Sequence, residues 1–294
     1  MNLKKIIKSN KFLYYFAIQL MKMNSLNFNI IKLLNKSFKF RLINGVKIKL
    51  HAKGQIALGV FTNRFEKREL EVFQKILKPG MIVVDAGANI GLYSLIASKL
   101  IGLKGKVFSF EPSKETFKIL TNNIRLNNFH NITFNNEGLG DKSNEKLILR
   151  QDTGFGDAER YLVPSNKDPD LKLQNVNSVN IQEEIIIDTL DNSLNKFNVK
   201  KIDFLKIDTE GFEYYILKGA KQILRNSPDL VILLECTELG TLRSKTTQND
   251  VFKILKDNNL NIFYWNTILN DFSDDDGIYT AGDVWACKNK KQLL

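Results

Sequence analysis

The sequence predicts an α/β protein in which helices cover both faces of a seven-stranded, mostly parallel sheet. Residues 81–84 form an apolar, β-branched run, which is typical of a buried parallel strand. A glycine-rich turn follows at residues 85–91, and residues 92–97 then have the composition of a helix. A strand, a glycine-rich turn and a helix in this order form the first half of a nucleotide-binding βαβ unit. These observations predict a Rossmann-like fold.

Further strands and helices alternate along the chain on both sides of this turn. Ser113 follows Pro112 and has the properties of a helix N-cap. Apolar residues at helical or strand spacing predict helices over 66–77, 113–127, 211–226 and 247–258, and strands over 106–111, 132–136, 202–208, 230–235, 261–264 and 283–288. The last two strands are expected to pair with each other and complete the sheet.

Residues 145–188 interrupt this alternation. Residues 146–150 and 184–188 predict the two strands of an inserted hairpin, and the stretch between them is polar and contains Gly and Pro. A loop of this length in a compact domain is usually functional or disordered. Two interpretations stay open: the loop covers a substrate, or it is an ordinary surface loop.

Residues 1–65 form an N-terminal extension to the α/β domain, which we place at residues 66–294. The apolar run at 12–21 is too short to span a bilayer, and no small-x-small cleavage site follows it. We therefore expect a cytoplasmic protein rather than an exported one. The extension is predicted to contain short helices at 12–21 and 26–34, a hairpin over 38–50 and a strand over 56–61.

Positive charge is concentrated in this extension. The chain has a formal net charge of +11, yet residues 1–65 contain 13 of its 43 basic residues and no Asp or Glu. A polybasic segment favours an anionic partner such as a membrane surface, an acidic glycan or a nucleic acid. A chain rich in Asn, Ile and Lys throughout is the competing explanation. We name residues 1–53 as a candidate peripheral contact with an anionic membrane on its inner face.

The cysteines and histidines restrict the kind of site that the chain can build. Only Cys236 and Cys287 are present, so the sequence does not indicate a disulfide framework. Two histidines, His51 and His130, are too few for a His-rich zinc site. We expect Cys236 to be buried and both histidines to be structural.

The acids around the glycine-rich turn indicate which ligand it binds. Asp85 precedes Gly87 by two residues, where its carboxylate would repel a dinucleotide pyrophosphate. S-adenosylmethionine has no phosphate and carries a sulfonium and an ammonium group, so an acid suits it. Glu111 ends the next predicted strand 20 residues after Gly91, where an acid can accept hydrogen bonds from ribose hydroxyls. The alternative is a plain α/β turn with incidental acids.

Two motifs resemble those of FkbM-type S-adenosylmethionine-dependent methyltransferases. The first is Val-Val-Asp-Ala-Gly-Ala-Asn-Ile-Gly-Leu-Tyr-Ser at residues 83–94, and the second is Phe-Leu-Lys-Ile-Asp-Thr-Glu-Gly-Phe-Glu at residues 204–213. The resemblance extends over about residues 80–220 and implies a class I methyltransferase fold. It also implies a set of cofactor-binding residues: Asp85, Gly87, Ala88, Asn89, Gly91, Glu111, Pro112 and, in the loop on the adenine side, Glu137.

Acidic residues also end the later strands of the predicted sheet. Asp208 and Glu210 follow one strand and Glu235 ends the next, and the carboxyl ends of parallel strands meet at one edge of the sheet. Asp208 or Glu210 could be the general base that takes a proton from an acceptor hydroxyl. Alternatively, Asp208 and Glu235 could hold a divalent cation such as Mg²⁺. Glu213 is expected to pair with a lysine on the following helix.

The predicted function is S-adenosylmethionine-dependent methyl transfer. The family resemblance implies an O-methyltransferase that acts on a hydroxyl of a sugar, glycolipid or related small molecule. A nucleic-acid methyltransferase that uses the basic extension for phosphate contacts is an alternative, although no aromatic-interleaved RNA motif is present. A second alternative is a non-catalytic adaptor that keeps the fold and docks to a membrane. Asp85 and Asn89 disfavour an NAD-dependent enzyme.

Overall fold

A computed structural model describes residues 37–42, 44–51, 55–151, 160–163, 181–266, 269, 271–274 and 282–293. The predicted helices at 12–21 and 26–34 and most of the long polar stretch before residue 181 lie outside these residues. None of the described helices is long and apolar enough to cross a membrane.

Within the described residues, the large sheet has eight strands: β3 (Ile82–Ala86), β4 (Lys106–Phe110), β5 (Ile132–Asn135), β10 (Phe204–Ile207), β11 (Val231–Cys236), β12 (Asn261–Asn266), β13 (Asp271–Asp274) and β14 (Gly282–Cys287). Their order is β13-β12-β14-β11-β10-β3-β4-β5. Strands β5, β4, β3, β10 and β11 are parallel, and β14 lies antiparallel between β11 and β12. The α/β class is confirmed, and β13 adds one strand to the predicted seven because residues 271–274 pair with β12.

Helices cover both faces of this sheet. They are α1 (Gln55–Phe61), α2 (Lys67–Ile76), α3 (Leu92–Ile101), α4 (Lys114–Leu126), α5 (Leu190–Asn195), α6 (Glu213–Lys218), α7 (Lys221–Asn226), α8 (Glu238–Ser244) and α9 (Gln248–Asp257), followed by a 3-10 turn at Lys290–Leu293. Successive strand residues point to opposite faces, so Val83 and Phe204 enter one core with α2 and α3. Val84 and Leu205 enter the other core with α5, α6, α7 and α9.

A second sheet of four strands takes the place of the predicted inserted hairpin. Its order is β6 (Gly138–Gly140), β9 (Ile181–Thr189), β7 (Glu145–Gln151) and β8 (Arg160–Val163). Strands β7 and β9 contain the two predicted strands and pair antiparallel. Strands β6 and β8 were not predicted, because three or four residues give no clear alternation.

The N-terminal hairpin consists of β1 (Ser37–Arg41) and β2 (Lys47–His51), at the predicted position. The predicted strand over 56–61 is wrong, since these residues form helix α1. Ala57 and Val60 are buried at a spacing of three, which one face of a helix provides. The ring of Phe61, at the end of α1, contacts Phe38 and Phe40 of β1 at centroid distances of 5.8 and 5.5 Å.

Candidate active site

The carboxyl ends of β3, β4, β10 and β11 meet around a cavity of about 290 Å³. Eight of the residues predicted for the site line it: Gly87, Asn89, Glu111, Pro112, Glu137, Asp208, Glu210 and Glu235. Asp85 and Ala88 instead line a smaller adjoining cavity of about 50 Å³, which shares Gly87, Asn89 and Asp208 with the larger one. Gly91 lines neither cavity. Its φ of 95° starts α3, and a Cβ there would lie 2.6 Å from Leu120 Cδ1.

The glycine-rich turn holds the ends of three strands together. The amides of Gly87 and Ala88 both donate to the carbonyl of Phe110 in β4, at 3.0 and 2.9 Å. Gly87 has a φ of +77°, and a Cβ at this position would lie 1.9 Å from the carbonyl oxygen of Asp208 after β10. Only glycine allows the turn to approach β10 this closely.

Glu111 is fixed at the end of β4 by two backbone amides. Its Oε2 accepts from the amide of Asn89 at 2.9 Å, and its Oε1 accepts from the amide of Ser113 at 3.0 Å. Burial raises the pKa of Glu111 to about 7, against the lowering effect of these two hydrogen bonds. Each carboxylate oxygen keeps a second acceptor site, so Glu111 can still bind hydroxyl groups in the cavity.

Asp85 lies in a buried polar network beneath the turn. It is 1% exposed and accepts from Ser94 Oγ at 2.5 Å. In the sheet it lies directly beside Ser109 of β4 and Lys206 of β10. Burial raises the pKa of Asp85. Its Oδ1 is buried and receives no hydrogen bond from the described residues. An acceptor oxygen of this kind suits a cationic or N–H donor in the adjoining cavity.

Lys206 is the main residue of the site that was not predicted from the sequence. It is buried in β10, donates to Asp208 Oδ2 at 2.8 Å, and lies 4.7 Å from the centre of the Tyr93 ring. Burial lowers the pKa of Lys206, but Asp208, Asp85 and Glu66 outweigh it, so the pKa is raised and the side chain stays charged. A lysine inside the apolar run of residues 204–207 was the signal that could have identified it, because a buried charge needs partners.

Three carboxyl groups converge at the ends of β10 and β11. Asp208, Glu210 and Glu235 each place one oxygen within 4.8 Å of the other two. Asp208 is paired with Lys206, and Glu210 accepts from Arg243 Nη1 at 3.1 Å. Burial, together with the charges of Asp208 and Glu210, raises the pKa of Glu235 to about 10. Glu235 therefore holds a proton at neutral pH.

The loop that carries Asp208 and Glu210 is shaped by Glu213. Glu210 and Gly211 have φ values of 55° and 118°, which turn the chain sharply into α6. Oε1 of Glu213 accepts from the amides of Thr209 and Gly211 at 3.0 and 3.1 Å, and from the Thr209 hydroxyl at 2.9 Å. The predicted pairing of Glu213 with a lysine is wrong. The buried carboxylate instead satisfies the loop's own donors, as an acid at a helix N-terminus often does.

Glu137, Glu66 and Arg160 complete the walls of the larger cavity. Glu137 lines the cavity and accepts from Ser193 Oγ at 2.9 Å. Glu66 accepts from the Tyr93 hydroxyl at 2.6 Å, and burial raises its pKa. Arg160 comes from β8 and donates to Ser113 and Thr116 at the start of α4. Glu66 and Arg160 have no local signal in the sequence, because their places depend on how α2 and the second sheet pack.

Comparison with known proteins identifies the family to which this site belongs. The model of the methyltransferase FkbM domain matches residues 85–260, which is more than half of the chain. The chain belongs to the FkbM methyltransferase family. It is an S-adenosylmethionine-dependent methyltransferase, and every residue predicted for the site lies within the matched range.

Individual members and structures are similar at lower levels of identity. Methyltransferase 1 of Beauveria bassiana is 24% identical over 171 residues, which are 56% of this FkbM chain and 68% of that protein. Methyltransferase sdnD of Sordaria araneosa is 26% identical, over 48% of this chain and 60% of its own length. The crystal structure of an FkbM methyltransferase from Methylobacillus flagellatus has a TM-score of 0.43 and 18% identity, with coverage of 78% of this chain and 54% of that one.

Proposed function

We propose that this FkbM methyltransferase transfers a methyl group from S-adenosylmethionine to a hydroxyl of a neutral sugar, glycolipid or related small molecule. The observation that carries the proposal is the carboxyl-rich lining of the larger cavity. Among the described residues, six carboxyl side chains line it, those of Glu66, Glu111, Glu137, Asp208, Glu210 and Glu235, and Arg160 is the basic one. Carboxyl groups form hydrogen bonds with hydroxyl groups whether they are ionised or protonated, so this lining suits a neutral, hydroxyl-rich acceptor.

The residues around the glycine-rich turn fit S-adenosylmethionine. The buried Oδ1 of Asp85 receives no hydrogen bond within the described chain and would accept one from the ammonium group. Glu111 would accept from the ribose hydroxyls, and Glu137 and Pro112 would lie towards the adenine. Gly87 and Asn89 form the turn between these groups. No phosphate-binding group is required, which agrees with the acids in the turn.

The three carboxyl groups at β10 and β11 supply the proton chemistry. Bound S-adenosylmethionine provides an electrophilic methyl group on a sulfonium, and the acceptor oxygen must lose its proton as it takes up this methyl. Asp208, whose Oδ2 lies 2.8 Å from the buried Lys206 ammonium, is the first candidate to accept that proton, and Glu210 is the second. Glu235, which is protonated at neutral pH, would donate a hydrogen bond within the group rather than act as a base.

A divalent cation is the second interpretation of the same group. Asp208, Glu210 and Glu235 offer three oxygen ligands, which hard cations such as Mg²⁺ prefer. The cation would replace the proton on Glu235 and acidify the acceptor hydroxyl. Removal of cations with a chelator separates the two interpretations, since activity that is lost and then restored by Mg²⁺ indicates a metal site.

A nucleic-acid acceptor is the alternative function, and the cavity disfavours it. A nucleotide within a strand carries phosphates on both sides of the reacting group. Among the described residues of the wall, Arg160 is the only basic one that could bind these phosphates, and it already donates to Ser113 and Thr116. We therefore rank a neutral glycan or lipid-linked acceptor above RNA or DNA.

The proposal is tested with Asp208→Asn, which keeps the shape of the side chain and removes its charge. We expect methyl transfer from labelled S-adenosylmethionine to fall by about 10²–10⁴-fold, the usual contribution of general acid–base catalysis, with little change in cofactor affinity. The acceptors are neutral glycosides, a glycolipid and an RNA. Asp257→Asn, at the exposed end of α9, is the control and should leave the rate unchanged. Near-full activity of the Asp208 variant would exclude Asp208 as the base and leave Glu210, and methylation of RNA alone would refute the proposed acceptor.

A further inference from the structure

The outer face of the N-terminal hairpin carries four basic side chains in a regular array. Side chains alternate along both strands: Phe38, Phe40, Ile48 and Leu50 point inward, and Lys39, Arg41, Lys47 and Lys49 are exposed. The register places Lys39 directly opposite Lys49, and Arg41 directly opposite Lys47. The outer face, which we call the basic face, is therefore two adjacent cross-strand pairs of like charge.

This arrangement costs the folded hairpin stability. Like charges directly opposite each other on an antiparallel pair are destabilising, whereas opposite charges at the same positions stabilise. Among the described residues, no carboxylate forms an ion pair with any of these four side chains. An anionic surface outside the chain would offset the repulsion.

The basic face is held rigidly on the α/β domain. Asn127 of the α4 end accepts from the Lys47 amide at 2.8 Å and donates to its carbonyl at 2.6 Å. Asn123 accepts from the Lys49 amide at 2.7 Å and donates to its carbonyl at 3.4 Å. These side chains also occupy the hydrogen-bonding edge of β2, so the face is preorganised and this edge is not free for another strand.

An exposed apolar residue lies next to the basic face. Leu103, in the loop after α3, is 85% exposed and lines the same surface cleft as Gly45 and Lys47 of the hairpin. Lys99 also lines this cleft, with its Nζ 3.2 Å from the position of a Cβ on Gly45, and Lys104 follows Leu103. An apolar side chain among lysines is typical of surfaces that bind the bilayer interface, where headgroups take the charge and the acyl boundary takes the apolar group.

We propose that the basic face, with Leu103 beside it, binds an anionic lipid bilayer and holds the enzyme against a membrane-borne hydroxyl acceptor. The inference rests on the proposed function for the nature of the acceptor only. Helix α4 connects the two sites, since Thr116 near its start lines the larger cavity and Asn127 after its end holds the hairpin. These residues are roughly 16 Å apart along the helix, so an acceptor anchored in the bilayer stays within reach of the cavity.

The acidic cavity favours a bilayer over a nucleic acid as the partner. In order to be methylated, a nucleic acid on the basic face would have to bring phosphates to a carboxyl-lined cavity in which Arg160 is the only basic residue among the described residues of the wall. A lipid-linked glycan leaves its phosphates at the headgroup level and presents neutral hydroxyls to the cavity. The basic side chains of the hairpin and the carboxyl groups of the cavity therefore lie apart, as the phosphates and the neutral hydroxyls of a lipid-linked glycan do.

The experiment compares vesicle binding by the full chain with that of Lys47→Glu/Lys49→Glu. The vesicles contain phosphatidylcholine alone or phosphatidylcholine with phosphatidylglycerol, and binding is measured by co-sedimentation. The variant replaces two like-charge cross-strand pairs with opposite-charge pairs, so its melting temperature should not fall. Its affinity for the anionic vesicles should fall by at least roughly 30-fold, because each lysine near such a surface contributes about a fivefold factor and each glutamate adds repulsion.

Lys221→Glu/Lys253→Glu makes the same change of net charge on exposed residues of α7 and α9 and is the matched control. It should bind the anionic vesicles like the wild type. The inference is overturned if the wild type does not prefer anionic vesicles, if both variants lose binding equally, or if the hairpin variant keeps it. Hairpin-dependent binding of a single-stranded RNA without vesicle binding would also overturn it. S-adenosylmethionine affinity is measured for each protein, so failure of the proposed function appears separately from failure of this inference.

Discussion

At the scale of single residues, the site depends on one buried cation shared among several acids. Lys206 is 5% exposed in the middle of the sheet, and its charge balances Asp208, Asp85 and Glu66. Without it, Asp85 would be a buried carboxylate with only Ser94 as its hydrogen-bond donor among the described residues. The acids were predictable from their places at strand ends. Lys206, the cation that allows them to lie together, was not predicted, because it lies inside the apolar run of residues 204–207.

Replacement of Lys206 by methionine tests this dependence. We expect Lys206→Met to lower the free energy of unfolding by roughly 3–5 kcal/mol, because it leaves a buried charge without its partner. Combination with Asp85→Asn should cost less than the sum of the two single changes, since it removes one uncompensated carboxylate. Urea unfolding measures all four proteins of the cycle. Lys106→Met, at an exposed position of β4, is the control. A Lys206 variant as stable as this control would contradict the account.

At the scale of the elements, the turn after β3 brings the strand ends together. Gly87 combines a left-handed backbone conformation with direct contact to the carbonyl of Asp208. Gly80 has a comparable φ of +90°, but a Cβ there would meet nothing within 4 Å. The two glycines therefore separate the effect of backbone strain from the effect of the contact.

Substitution of each glycine by alanine measures this difference. Gly80→Ala should lower the free energy of unfolding by roughly 1–2 kcal/mol, the usual cost of a left-handed conformation for a residue with a Cβ. Gly87→Ala should lower it further and also weaken S-adenosylmethionine binding, because the end of β10 must move away. Thermal unfolding and calorimetric titration provide the two readouts. Equal effects of the two substitutions on both readouts would show that the close contact has no role.

Elements with strong local patterns were predictable from the sequence, and elements that depend on distant pairing were not. The strand, turn and helix of residues 81–97 carry their own signals, and β3 and α3 form there. Residues 56–61 are apolar enough for a strand or a helix, and packing against the hairpin decides for α1. The second sheet joins β6 to β9 across more than forty residues, and this pairing leaves no mark in either segment. Arg160 lies in β8 of this sheet, so its place at the site could not be assigned from the sequence.

At the scale of the whole molecule, acidic and basic surfaces occupy separate places on one framework. Within the described chain, six acids line the larger cavity: Glu111, Asp208, Glu210 and Glu235 at the ends of β4, β10 and β11, Glu137 after β5, and Glu66 before α2. The hairpin adds an outward array of basic residues on the far end of α4. The sequence predicted a basic extension from its composition alone, and the structure gives the described part of it, β1 and β2, a defined geometry. A contact between residues 1–53 and an anionic membrane stays a proposal.

We expect the turn after β3 and Glu111, the acid at the end of β4, to bind S-adenosylmethionine. Calorimetric titration of the full chain tests it most directly, with Glu111→Ala as the variant and Glu71→Ala, an exposed acid on α2, as the control. We predict micromolar binding of S-adenosylmethionine by the wild type and the control, no binding of NAD, and an affinity roughly 10- to 150-fold lower for Glu111→Ala, the range for hydrogen bonds to charged groups. Tight binding of NAD, or an unchanged affinity in the Glu111 variant, would contradict the claim.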